Sequence, residues 1–554
     1  MRRPRKARLL AWGCASALGA TFGTGCATYS PLPQGAFIRE PLGPPQLPAA
    51  LVKRDGLPDA PEPEVPGQQP KLAENGPLQL SEVLRSVESS FPLLYAIQQE
   101  RDIAAGQRLA AEGAFDPTLR SRALDQGGTF SSARVDTFVE QATPFGGVTA
   151  FAGHRLGLGN FPVYAGGLKT AEGGELRAGI TIPLLQNRAT DPRRARLRAA
   201  QIAEQLADPT IRLARINFYR DSAAAYWLWQ AAGGQYRVAQ YLLKLAEDRQ
   251  KFLDEQLRQG APGVTEDVVT LNRRLVAERQ EVLLTTERTL QEAALRLSLF
   301  LRDGAGEPLV PKAEWLLPAF IDLGAPLPSA APEALASDVE RALAQRPELV
   351  RFQLEKERRT VELQLATNQL LPQVNVFAAG TQDVGFSKKT FTGEGIFRTD
   401  RQTAEVGAFL EAPLPFRNAR GLTATARAQL NQLLAQEKFQ RDSIAAQVAD
   451  AASALTQTYQ RLDRAREELK QANRVLEQST VRYRAGAITL VELNIQETAA
   501  AAARAKVVAL VGAYYAAVAN YLAALGLDAP APGTGGAVLP VTEPLRQMQP
   551  PPKP

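Results

Sequence analysis

The sequence predicts an α+β membrane protein. Long antiparallel coiled-coil helices join a transmembrane β-barrel to which each chain gives four or more strands, and the arrangement occurs twice along the chain. Three observations predict it. Apolar residues recur every seven positions over helical stretches far longer than a globular core helix. Short alternating segments occupy matched places between those helices. One turn motif occurs twice, as LRQGAPGVTEDV (Leu257 to Val268) and YRAGAITLVEL (Tyr483 to Leu493), each with a basic residue, a spacer, Gly-Ala, and then Thr, an acid and an aliphatic residue.

The chain begins MRRPRKARLLAWGCASALGATFGTGCATYS. Five basic residues precede an uncharged run from Leu9 to Gly25, the layout of a bacterial secretory signal. The run is short and rich in Gly and Ala for a membrane-spanning helix. Small residues lead up to Cys26, so residues 1–25 read as a signal peptide and Cys26 as the lipidation site, although Gly23 stands where such signals usually carry Leu. Cleavage there would remove Cys14 and leave Cys26 as the one thiol, with no internal disulfide. It would also remove five of the charges behind the formal net charge of +6, leaving +1, so the basic balance carries no case for nucleic acid. Residues 26–77 are dense in Pro and Gly and read as an extended tether.

Residues 78–302 and 338–526 form two matched copies. The first opens SEVLRSVESSFPLLYAIQQERDIAAGQRLAAEGAFDP and the second SDVERALAQRPELVRFQLEKERRTVELQLATNQLLP. Pro92 to Pro117 and Pro347 to Pro372 span 25 positions each, with one Pro at a helix start and the next beyond its end. The period then changes. Val374, Val376 and Ala378 share a strand face, as do Val406, Ala408 and Leu410 on the returning strand, and Ile180 and Ile182 in the first copy. The returning strands stop at Pro183 and Pro413. The first copy carries extra alternating segments, RVDTFVEQAT and GVTAFAGHRL, joined by PFGG, an additional hairpin over residues 133–157 whose place relative to the barrel is left open.

Long helices follow, over about Asp191–Gln256 and Leu422–Tyr483, each able to reach roughly 90–100 Å at about 1.5 Å per residue. Val448, Leu455, Leu462, Leu469, Leu476 and Tyr483 form an unbroken heptad, with Ala224, Ala231, Val238, Leu245 and Phe252 in the earlier helix. Gly260 and Gly486 end these helices, and shorter helices return over about Asp267–Phe300 and Glu492–Leu525. Residues 303–337 read as an irregular segment beside the helices, and residues 527–554 as a Pro-rich tail. AYWLWQAAGGQY (Ala225 to Tyr236) reads as packing between helices, with Gly233 and Gly234 easing a bend.

With one His, His154, and two Cys, the composition offers no metal centre, cofactor site or His-based catalytic set. No enzyme is expected, and His154 reads as a residue without special role. Four strands cannot close a barrel alone, and backbone groups in lipid must all be paired, so the chain is expected to oligomerise.

The doubled order of elements, FDPTL and LLPQV where strands begin, ITIPLL and EAPLPF where they end, and RYRAGAITLVEL resemble the TolC-type outer-membrane channel family, over about Ser81 to Gly526. The resemblance implies a homotrimer. Its twelve strands would close an outer-membrane barrel continuous with a periplasmic coiled-coil barrel of helices. It implies a lipoprotein of the outer membrane of a Gram-negative bacterium, the passive exit duct of a tripartite efflux pump or type I secretion system. Its partners would be outer-membrane lipid, a periplasmic adaptor (membrane fusion protein) and, through the adaptor, an inner-membrane transporter. Gly260, Ala261, Gly486, Ala487, Ile488 and Thr489 would meet the adaptor, and Tyr483, Asp267 and Glu492 would line the lumen gate. Ile488 and Ile495 stand where the best-known member has a basic gate residue and an acid, so a salt-bridged closed gate is not implied. The two acids also suit helix starts, whatever their place in a pore. A lipid-anchored periplasmic coiled-coil scaffold without a pore would explain the heptads and tether but not the paired strands. The cargo is not written in the sequence, though the scarcity of Met, Cys and His disfavours copper.

Overall fold

The computed structural model describes residues 76–162, 168–260, 263–304, 306–318, 332–390 and 393–527. Cys26, the signal segment and most of the tether lie outside these residues, as does the Pro-rich tail beyond Leu527. The fold is mostly helical with one sheet. Helix α1 (Leu80–Ser90) and α2 (Pro92–Glu112) lead into strands β1 (Thr118–Gln126), β2 (Ser132–Ala142), β3 (Thr149–Gly159) and β4 (Glu175–Pro183). Helices α3 (Pro192–Arg258) and α4 (Glu266–Ser298) follow. The chain continues through α5 (Pro332–Gln345), α6 (Pro347–Asn368), β5 (Gln373–Thr390), β6 (Gly393–Glu411), α7 (Arg417–Arg484) and α8 (Leu490–Ala524).

The helix starts follow from local chemistry. Pro92 and Pro347 open α2 and α6, where a missing N–H costs nothing. The Asp191 carboxylate caps α3 by accepting from the backbone N–H of Arg193 at 2.8 Å and Arg194 at 3.1 Å. Helices α3 and α7 contain 67 and 68 residues, so each spans on the order of 100 Å. Helix α5 begins at Pro332, inside the stretch read as irregular. That segment also holds a short turn of 3-10 helix at Ala313–Trp315.

The helices pack on small and branched residues. Leu455 and Leu462 of α7 are buried, as the heptad requires, against Val507, Val511, Tyr514 and Val518 of α8 and Ala231 of α3, and Val448 is buried in a separate cluster with Ala342, Leu349 and Leu525. Along α3 the seam read from the sequence is buried at Ala231, but a more buried seam lies one residue on. It runs through Ala232, Ala239, Ala246 and Leu253, while Phe252 is 60% exposed. Alanine carries little hydrophobic signal, yet it is what lets α3 lie close to its neighbours. Helix α8 is apolar enough by composition to cross a membrane, but its apolar side chains are used within this core. Burial pushes the Tyr514 hydroxyl up to about 12, so it stays neutral.

The aromatic stretch of α3 does pack between helices. Tyr226 and Trp229 are buried against Val83 of α1, Leu297 of α4 and Leu316, and the Tyr226 hydroxyl donates to the Leu78 carbonyl at 2.8 Å. Gly233 and Gly234 do not interrupt the helix. A Cβ at Gly233 would lie 2.3 Å from Leu316, and one at Gly234 would lie 2.6 Å from Val508, so these glycines make room for neighbours.

The sheet is antiparallel with strand order β1-β2-β3-β4-β5-β6. The additional hairpin, β2 and β3, lies inside the sheet between β1 and β4, giving two strands more than the four the resemblance implies. Strands β5 and β6, of 18 and 19 residues, continue through the stretch read as a polar loop. They remain paired beyond Gln382 with register shifts.

Gly512 of α8 faces Ala231 and the Trp227 carbonyl, which a Cβ would approach to 2.8 and 3.0 Å. Gly512→Val is therefore expected to destabilise the helical core by about 1–3 kcal/mol. The thermal denaturation midpoint of detergent-solubilised protein checks this.

Candidate functional site

The two long helices end alike. Gly260 and Gly486 have φ of +65° and +69°, in the left-handed region that glycine tolerates best. After α7, the Gly486 N–H donates to the Tyr483 carbonyl at 2.9 Å and the Ala487 N–H to the Arg482 carbonyl at 2.9 Å, satisfying carbonyls the helix leaves open. After α3, the Gly260 N–H donates to the Leu257 carbonyl at 3.1 Å. Ala261 lies outside the described residues.

One small core brings the two turns together. Leu253 of α3, Val269 of α4 and Leu490 of α8 are buried in contact, with Leu257, Val264, Val268 and Tyr483 packed around them. Tyr483 is thus half-buried in the joint between the turns. Gly486, Ala487 and Thr489 are exposed and Ile488 is half-buried, so this turn offers a small, nearly uncharged outer surface.

Glu492 is engaged locally. Its carboxylate accepts from the Thr489 N–H at 2.8 Å, and the Thr489 hydroxyl accepts from the Glu492 N–H at 3.3 Å, closing a capping box at the start of α8. Asp267 lies exposed in the first turn of α4 beside Glu266, where acids suit the helix dipole. The helix-start role of both acids is thus visible in the geometry.

About two turns along α8 from Leu490 lies a buried ionic cluster that the sequence reading missed. Glu497 is 4% exposed and pairs with Arg249 of α3 and with Arg279 of α4, the latter at 2.9 Å. Arg279 also donates to the Leu242 carbonyl at 2.8 Å, and Arg249 to the Asn494 side chain at 2.6 Å. Asn272 is fully buried and donates to the Ala246 carbonyl at 3.1 Å and to Gln250 at 2.8 Å. Three helices are therefore tied by one carboxylate just behind the turns. The signal for it was faint: the second of two acids on an Ala-rich, apolar helix.

At the sheet, register divides the side chains into two chemistries. One face carries Leu119, Val135, Val139, Ala152, Leu156, Leu176, Ala178, Ile180, Val376, Val406 and Leu410. Several are strongly exposed, with Val406 at 78% and Leu119 at 70%. The opposite face is charged. Asp136 bridges Arg134 at 2.7 Å and Arg155 at 3.0 Å, Arg155 reaches Glu175 at 3.2 Å, and Arg177 reaches Glu405 at 2.5 Å. Between the charges, Phe138, Phe151 and Phe377 each lie over a glycine directly across the ladder, at Gly153, Gly179 and Gly407. A Cβ at those glycines would meet the rings at 2.3–2.7 Å. His154 is a strand residue of β3, and its Nε2 donates to the Gly173 carbonyl at 2.8 Å. No cluster of His, Cys, Asp and Glu suited to a metal ion occurs among the described residues.

This arrangement of helices and sheet is similar in fold to solved outer-membrane channels. The outer-membrane channel OprN superposes with a TM-score of 0.55 at 17% identity, over 81% of this chain and 89% of that one. The open state of the Neisseria gonorrhoeae MtrE outer membrane channel gives 0.57 at 15% identity, over 81% and 89%. The outer membrane protein VceC from Vibrio cholerae gives 0.55 at 16% identity, over 81% and 96%. Comparison with curated protein sequences gives no match. The chain thus has the fold of an outer-membrane channel. Residues 339–527 match the model of the outer membrane efflux protein family.

Replacing Glu497 with Gln leaves two guanidinium groups with no counter-charge in a dry site, and is expected to cost about 3–5 kcal/mol. Removing the exposed Lys506–Glu468 pair, 2.7 Å apart, should cost roughly 0–1 kcal/mol. Denaturation of the two variants side by side checks the contrast.

Proposed function

We propose that this protein is the outer-membrane exit channel of a tripartite efflux pump or type I secretion system, a passive conduit without catalysis. The observation that carries the reading is the two-faced sheet. An exposed apolar face suits lipid and a charged face suits a water-filled lumen. Both edge strands, β1 and β6, lack a strand partner on their outer side among the described residues. In lipid such edges must be paired, so closure by further copies is required, and a homotrimer meets it. Exposed apolar side chains on the helices, among them Leu109, Tyr241, Leu284 and Phe439, would then be covered by neighbouring copies. Cys26 would carry the lipid anchor, and the helices would extend into the periplasm of a Gram-negative cell.

In this reading the paired turns form the periplasmic tips. Gly486, Ala487, Ile488 and Thr489, with Gly260 and Ala261, would dock a periplasmic adaptor linked to an inner-membrane transporter. Tyr483, Asp267 and Glu492 would stand at the lumen gate. The capping box lends Glu492 a structural part whether or not its charge also faces the pore.

Purified protein in planar bilayers is expected to conduct ions, and heat-modifiable trimers are expected on gels. Absence of both would favour a non-porous scaffold. Glu492→Ala is expected to weaken cation block and selectivity; unchanged single-channel behaviour would remove this acid from the gate. Gly486→Pro is expected to abolish export in cells while trimers still assemble, and normal export would displace the docking site from this turn.

A further inference from the structure

We propose that the β2–β3 hairpin is part of the membrane wall, so that each chain contributes six strands and the trimer closes a barrel of eighteen rather than twelve. This inference rests on the channel reading above.

Three observations carry it. First, the ladder is continuous. β2 pairs with β1 over Thr118↔Glu140 to Gln126↔Ser132, and β3 pairs with β4 over Thr149↔Thr181 to Arg155↔Glu175. The first and fourth strands are thus held apart by the hairpin. A hairpin projecting from the barrel would leave β1 and β4 to pair with each other.

Second, the division into a mostly apolar and a charged face continues across the hairpin. Val135 and Val139 of β2 lie opposite Leu156 and Ala152 of β3, on the face that continues through Ala178 and Ile180 into Ala378 and Val406. Val135, Val139 and Leu158 are each about two-fifths exposed, at 39%, 44% and 41%. Thr137, Gln141 and His154 interrupt this face, but a hairpin standing in water has no need of the apolar majority. At 11 residues each, β2 and β3 also have the length of tilted membrane strands.

Third, the hairpin is stitched into the charged face. The relay Arg134–Asp136–Arg155–Glu175 runs from β2 through β3 to β4, and Asp136, Arg155 and Glu175 are only 13–14% exposed at the side chain. Phe138 over Gly153 repeats the pairing of Phe151 over Gly179. Because barrel diameter grows roughly linearly with strand number, the duct at the membrane would be about half as wide again as a twelve-stranded one of equal tilt.

Cysteine labelling in intact membranes tests this, using a membrane-impermeant maleimide and the parent chain as background. Val135→Cys and Leu156→Cys are expected to be protected, and Glu140→Cys and Phe151→Cys to be labelled through the lumen. Control pairs outside the hairpin are Ile180→Cys with Thr181→Cys, and Val406→Cys with Glu405→Cys; they should alternate in the same way. If all hairpin positions label while the controls alternate, the hairpin lies outside the wall and the inference is overturned, with the channel reading intact. If the controls also fail to alternate, the channel reading falls and takes the inference with it. Electron cryo-microscopy of the solubilised assembly supplies an independent count. Eighteen strands support the proposal and twelve overturn it.

Discussion

A backbone edge in hydrocarbon has no water to bond, and in the proposed channel reading this constraint governs the rest of the structure. The sheet presents two such edges, on β1 and β6. Neither can be satisfied by the chain to which it belongs, since four strands separate them. In the channel reading, association of identical copies would pair the edges, while lipid would cover the apolar face. The same association would cover the apolar side chains left bare along the helices.

Within one chain the helices are held by two kinds of contact of very different strength and precision. The Ala seam of α3 and the valine run of α8 give close, non-directional packing that tolerates sliding of one helix along another. The Glu497 cluster does not tolerate it. Its carboxylate has to meet two guanidinium groups from two helices, and each guanidinium also meets a carbonyl or amide oxygen. A shift of one helical turn would bury unpaired charge, so this cluster sets the register of α3, α4 and α8 behind the turns.

Much of this was legible in the sequence where a period was clean. The α7 heptad, the two glycine turns and the faces of β4, β5 and β6 rest on residues whose hydrophobicity states their direction. Reading failed where size or context carried the information instead. Ala232, Ala239 and Ala246 form the α3 seam because they are small, while the louder Phe252 points outward. Strand β1 holds Arg120, Arg122 and Asp125 among nine residues, and its exposure to the charged face hides the alternation. Arg249, Arg279 and Glu497 looked like members of a solvated helix surface, since nothing local distinguishes a buried arginine from an exposed one. The acid of the second turn motif was visible as a residue, but its capping box with Thr489 required the geometry.

A hairpin begins and ends on the same side of a sheet. Inserting one between β1 and β4 therefore returns the chain to the point where it would otherwise have turned, and α3 starts where it would have started. A single added strand would instead deliver the chain to the far rim and strand the helix on the wrong side of the membrane. The circumference of such a wall can thus be changed by loop insertion, in steps of two strands per chain, while helix length and tip chemistry stay as they are. Bore and reach are then separate variables of one gene, open to independent selection and to independent redesign.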